Sequence, residues 1–81
     1  MKPTIGRIVH YQSYGTPGGE YLPEPRAAVI TEVGHAQLLP GAELTEVVGL
    51  CVLNPTGQFF NQRVPFADVP TPGHWNWPPK V

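Results

Sequence analysis

Eighty-one residues form one small domain, taken here as residues 1–81, and a chain of this size buries only about 60% of the surface its unfolded form exposes. Charged residues make up 14% of the chain and its net charge is −1, where roughly 25% charged is usual; with no basic run to neutralise a row of phosphates, nucleic acid is not the expected partner. Eleven prolines and nine glycines break helices and punctuate short strands, which argues against a helical architecture.

Residues 5–11, Ile-Gly-Arg-Ile-Val-His-Tyr, are β-branched, aromatic and too few for a useful helix, so they predict the first strand. Ile5, Arg7, Val9 and Tyr11 point one way, Gly6, Ile8 and His10 the other. Apolar groups on both faces predict cover on each side. Residues 13–25 are dominated by turn formers, including Gly15-Thr16-Pro17-Gly18-Gly19. They predict a long loop whose ordering would fall to Tyr14, Tyr21 and Leu22. That glycine-rich run lacks the Lys-Ser/Thr ending of a phosphate loop and is read first as a flexible turn.

Residues 26–33 predict the second strand, ended by Gly34, with Ala27, Val29, Thr31 and Val33 on one face and Ala28, Ile30 and Glu32 on the other. Residues 34–46 predict a second connection with at most one helical turn, around residues 42–45. Residues 47–53, Val-Val-Gly-Leu-Cys-Val-Leu, are the most apolar stretch and predict a central strand buried on both faces. Asn54-Pro55-Thr56-Gly57 signals a tight turn, with Pro55 setting φ at its second position and Gly57 admitting a positive φ near its end. Residues 58–64 return as the hairpin partner, with Phe59, Asn61 and Arg63 on one face and Phe60, Gln62 and Val64 on the other. After a proline-punctuated crossing over residues 65–72, residues 74–77 predict a last short strand. Trp75 and Trp77 share its face, since side chains alternate with a period of two.

Five short strands, two long connections and one tight hairpin predict an all-β protein with no substantial helix, closed as a small SH3-like barrel. A five-stranded OB-type barrel competes, but usually carries a helix where this chain has a four-residue turn.

Gly-Arg-Ile-Val-His-Tyr near the start, Arg-Ala-Ala-Val-Ile-Thr-Glu-Val in the middle, Asn-Pro-Thr-Gly in the hairpin and His-Trp-Asn-Trp-Pro at the end together resemble a group of short uncharacterised bacteriophage and prophage proteins. The likeness covers nearly the whole chain. It implies phage origin and action in the cytoplasm of an infected bacterial host, and it carries over no enzymatic activity. Small phage proteins of this type include sponges that bind nucleotide second messengers and so blunt host immune signalling. The resemblance therefore makes sequestration of a nucleotide-type signal an expectation by analogy.

Chemistry read from the residues is sparse. His10, His35, His74 and Cys51 are scattered, with no pair at two- to four-residue spacing, so no metal site is expected. Ser13 lies three residues beyond His10, yet no Gly-x-Ser-x-Gly elbow appears, and Cys51 lies in an apolar run. Neither a cofactor nor catalysis is expected. One cysteine cannot form an internal disulfide, and there is no signal-peptide pattern or apolar run of membrane-spanning length, so a soluble protein of a reducing compartment is expected.

The aromatic set remains. Tyr11, Tyr14, Trp75 and Trp77, with His10 and His74, meet if the first and last strands are neighbours, and such a cluster stacks a purine or grips a proline-rich peptide. Arg26 and Arg63 are the candidates for phosphate or carboxylate. The competing reading makes the tryptophans core. Two-sided apolarity of the third strand, with Phe59 and Phe60 pointing opposite ways, predicts a homo-oligomer. The expected function is thus non-enzymatic binding of a small nucleotide-type ligand. A protein-interaction module using Tyr11, Tyr14 and Trp75 as a groove, or a minor phage structural or assembly component, stands as the alternative.

Overall fold

A computed structural model describes residues 2–15 and 24–79. Thr16 to Gly19, Tyr21 and Leu22 lie outside the described residues, and with them most of the predicted first loop. Within the described residues the chain is all-β, without a helix, and so has no helix long and apolar enough to cross a membrane. Five strands, β1 (Ile8–Gln12), β2 (Pro25–Ala36), β3 (Thr45–Asn54), β4 (Gly57–Pro65) and β5 (Trp75–Asn76), form one antiparallel sheet in the order β4-β3-β2-β1-β5.

The ends of the strands are set by turn chemistry. Leu39-Pro40-Gly41-Ala42 and Thr71-Pro72-Gly73-His74 are each closed by a bond from the fourth residue's N–H to the first residue's carbonyl, at 3.1 and 3.0 Å, with the glycines at φ +80°. Proline presets the second position of such a turn, and only glycine takes its third without strain. The first of these turns lies in the β2–β3 connection, where a helical turn was expected. The β3–β4 hairpin is closed differently. Asn54 pairs with Gly57 across the two-residue loop Pro55-Thr56, and neither Thr56 nor Gly57 has positive φ. Proline's ring fixes φ near −65°, so this loop cannot take the mirror-image geometry usual in two-residue hairpins.

Gly34 does not end β2, which continues to Ala36 because Gly34, His35 and Ala36 pair with Val47, Glu46 and Thr45. The strand in the middle of the sheet is β2, with β3 beside it and flanked on both sides.

One face is buried. Its rows run Val9, Ala28, Val52, Phe59; then Ile30, Leu50, Asn61; then Val33, Val48, Val64. Tyr11 and Trp75 complete this core. Two-sided burial, expected for the first and third strands, is found in part of β3 alone, where the consecutive Val47 and Val48 are both buried; elsewhere Ile8, Val29, Cys51 and Phe60 run in register across the outer face, and Ile8, Leu53 and Phe60 are exposed there. Among the described residues there is one sheet and no second layer, so most of the outer face is left open.

The buried face is concave because two bulges meet at one residue. Thr31 is the extra residue of β2 between Ile30 and Glu32, and β4 carries an extra residue between Asn61 and Val64; both lie opposite Gly49 of β3. A bulge adds twist and bends its strand, and slips the in/out alternation by one position. Arg63, at φ 57°, is the only non-glycine residue with positive φ among those described. The slip moves Val33 and Val64 to the inner face, the reverse of what unbroken alternation predicts for Val64 beside Phe59 and Asn61. A Cβ at Gly49 would stand 3.2 Å from both Glu32 Cβ and Thr31 Oγ1, so glycine is what lets the bulged backbone approach.

The curl is strong. β1 and β4 are three strand spacings apart, about 14 Å in a flat sheet, yet the rings of Tyr11 and Phe59 meet with centroids at 6.3 Å. The sheet does not close. Beyond β4 a single parallel bridge joins Phe66 to Trp75, and Ala67 N–H donates to the Trp75 carbonyl at 3.0 Å.

Candidate functional site

The curled sheet opens a cavity at each end of its concave face. The first, of about 300 Å³, is lined by Tyr11, Ser13, Tyr14, Gly15, Arg26, Asn54 and Phe59, where β1 and β3 end and β2 and β4 begin. Side chains from all four strands converge there because of the curl. Tyr11 and Arg26 are directly paired across β1 and β2, so their side chains leave the sheet on the same face, and both are buried. Asn61 Nδ2–H donates to the Tyr11 hydroxyl at 3.0 Å, while Phe59 meets the Tyr11 ring edge-on at 81°. Two residues of β4 thus fix the phenol in place, one by its ring and one by its amide. Because Asn61 donates to the oxygen, the phenolic proton remains for a different acceptor.

Burial is the main reason that the Tyr11 pKa lies above that of an ordinary tyrosine; the neighbouring Tyr14 adds to the rise, and the bond from Asn61 works against it. Arg26 Nη1 pairs with Glu24 Oε1 at 2.9 Å. Glu24 is held in turn by Ser13: its N–H donates to Ser13 Oγ at 3.3 Å, and its carbonyl accepts from Ser13 N–H at 3.2 Å. The β1–β2 ladder therefore extends one step past the strands and fixes the acid beside its arginine.

Tyr14 forms the outer wall and is largely exposed, at 71%. Its phenol lies against Gly73: a Cβ there would fall within 2.8 Å of Tyr14 Cζ and would collide with the hydroxyl. Gly73 N–H donates to the Gln12 carbonyl and Gln12 N–H to the His74 carbonyl, both at 3.0 Å. The Pro72-Gly73 turn is thereby laid beside the end of β1, under the Tyr14 ring.

The second cavity, of about 370 Å³, is lined by Pro3, Thr45, Glu46, Phe66, Trp75 and Trp77, at the end of the sheet where β3 begins. Trp75 and Trp77 do act together, with centroids at 5.2 Å and planes at 83°. The question of core against site is answered differently for each: Trp75 is buried at 3% exposure, and Trp77 is half-buried against the core.

The expected cluster is therefore divided. Tyr11, Tyr14 and Arg26 line one cavity and Trp75 and Trp77 the other, although Tyr11 and Trp75 are direct cross-strand partners. His10 alternates with Val9 and Tyr11 and so leaves β1 on the outer face. His74 Nδ1 lies 3.0 Å from the Pro72 carbonyl within its own turn. Arg63 lines a third groove, with Glu32, His35 and Gln62 beside the bulges. Phe59, Asn54 and Asn61 were not among the expected site residues. The alternation that placed Phe59 and Asn61 on one face was the available signal. Among the described residues, no three His, Cys, Asp or Glu side chains are placed to hold a metal ion. The chain matches no protein-family model, no curated protein and no solved structure.

Proposed function

We propose that this protein is a non-enzymatic, phage-encoded binder that holds a small nucleotide-type signal of the host in the cavity between Tyr11, Tyr14, Phe59 and Arg26. The observation that carries this reading is the pairing, in one cavity, of aromatic rings with an arginine that is 7% exposed. Rings stack on a base, each stack contributing about 1–3 kcal/mol, and a guanidinium meets phosphate oxygens bidentately. Ser13 and Asn54, which also line the cavity, supply the polar contacts that would fix a ligand's orientation. A volume of about 300 Å³ lies at the small end of the range for ligand pockets, which suits one nucleotide unit rather than a large cofactor. In this reading the curled sheet is an SH3-like barrel whose last seam is the Phe66–Trp75 bridge, and its open ends present the cavities.

Isothermal calorimetry of the full chain against cyclic nucleotides and ADP-ribose derivatives tests the proposal. At least one should give saturable heat and be recovered intact from the heated complex. No heat with any of them from well-folded protein would overturn sequestration, and a chemically altered ligand would overturn the non-enzymatic reading. A second reading, a protein-interaction or self-association role, is favoured by the outer row of Ile8, Val29, Cys51 and Phe60 with Leu53 beside it. Exposed apolar surface of this kind marks association. The native mass of the purified protein reports it: a monomer with no stoichiometric protein partner would count against that reading.

A further inference from the structure

The cavity around Trp77 has a chemistry opposite to that of the Arg26 cavity. Phe66 and Trp77 both touch Trp75, with centroids at 5.0 and 5.2 Å, and their planes are tilted from it by 65° and 83°. All three rings belong to the cavity's lining. Trp75 is buried and Trp77 packs against the core, so that side of the cavity is held before any ligand arrives. Of the six lining residues, Glu46 alone carries a charge, and it is negative. Aromatic faces are electron-rich and attract cations, tryptophan most strongly. Trp77 already shows that preference: the Arg7 guanidinium lies 5.9 Å from its ring centroid, although Arg7 does not itself line the cavity.

We infer that this cavity binds a small molecule carrying an alkylated ammonium group, the cation against the accessible rings of Phe66 and Trp77 and near the carboxylate of Glu46. A methylated ammonium fits better than a bare one, because its charge is spread over apolar surface that matches an aromatic box and loses less hydration on entry. At about 370 Å³ the cavity has room for such a group together with a short chain. Pro3 and Thr45 complete its lining. The site is independent of the Arg26 cavity, since the two share no lining residue.

The test is an NMR titration of the full chain with choline, and in parallel with its neutral isostere 3,3-dimethylbutan-1-ol, at matched ionic strength. Trp75 and Trp77 are the only tryptophans, so two indole N–H signals report the site. Choline should shift them saturably and bind at least tenfold more tightly than the alcohol. Phe66→Leu keeps apolar bulk at a position 44% exposed but removes a ring face, and should weaken choline about fivefold, the size of an ordinary cation–π contribution. Glu46→Gln should weaken it about threefold. Equal binding of the alcohol, indifference to Phe66→Leu, or no saturable indole shift with choline would each overturn the inference. Nucleotide binding at the Tyr11 end is read by other residues, so the two proposals fail separately.

Discussion

Gly49 is the residue on which the shape of the sheet turns, and replacing it with alanine tests that directly. A Cβ at this position meets Glu32 Cβ and Thr31 Oγ1 at 3.2 Å and Glu32 Oε1 at 3.4 Å. The carboxylate can swing away and threonine can rotate, but Glu32 Cβ moves only with the β2 backbone. Crowding of this kind costs about 1–3 kcal/mol. Against it stands the gain of about 0.4–1 kcal/mol from restricting the unfolded chain, which any glycine-to-alanine change brings where the backbone tolerates it. The net for Gly49→Ala is a loss of about 1 kcal/mol. Gly34 is the internal control: it lies in β2, takes no positive φ, and a Cβ there meets nothing within 4 Å. Gly34→Ala should therefore gain about 0.5 kcal/mol. A difference of about 1.5 kcal/mol corresponds to melting temperatures about 6–12 °C apart in a domain of this size. Thermal unfolding followed by circular dichroism reads it. Equal melting temperatures, or the Gly49 variant as the more stable of the two, would refute the claim that close approach at this residue shapes the sheet.

Three other outcomes follow from the same geometry. Trp75→Ala removes a buried indole from the core and should cost about 3–5 kcal/mol, enough to leave so small a domain largely unfolded; retention of a cooperative urea transition near the wild-type midpoint would contradict a core role. Arg63→Gly relieves a left-handed residue that lacks glycine's freedom and should raise stability by about 0.5–1 kcal/mol in the same urea assay, whereas a loss would mean that the arginine side chain anchors the bulge. The pH dependence has a definite sign. The folded state holds the Tyr11 proton to higher pH than the unfolded chain does, so its contribution is fully present below about pH 10 and is lost as pH rises through the folded value. Stability measured from pH 8 to 11.5 should decline at the alkaline end, and Tyr11→Phe should flatten that decline; identical slopes would contradict it.

Much of this architecture was legible in the residues. β-branched and aromatic runs marked every strand, and the period of two placed Trp75 and Trp77 side by side. Adjacency of the first and last strands predicted their meeting, realised in the Tyr11–Trp75 pair. The bulges were not legible, because alternation carries no mark where an extra residue enters; the glycine in the middle of the most apolar strand was the one hint. That omission moved Val64 to the wrong face. The partition of the site was hidden for a related reason. Tyr11 and Phe59 are distant in a flat sheet, and only its curl, which long-range pairing sets, brings Phe59 and Asn61 onto Tyr11. Arg26 and Arg63 look alike as sequence, yet one is buried beside the tyrosines and the other marks a bulge at a separate groove.

Binding at the Tyr11 cavity is most directly tested by mapping chemical-shift changes on the full chain with whichever nucleotide gives heat, alongside Tyr14→Ala. Tyr14 is exposed enough that its removal should leave the fold intact, while losing one stacking wall should weaken binding by about 1–3 kcal/mol, or roughly 5- to 150-fold. The predicted map centres on Tyr11, Ser13, Arg26, Asn54 and Phe59, with the Trp77 indole signal unmoved. Shifts centred on Trp77 or on the outer face, or an unaltered affinity in Tyr14→Ala, would contradict it.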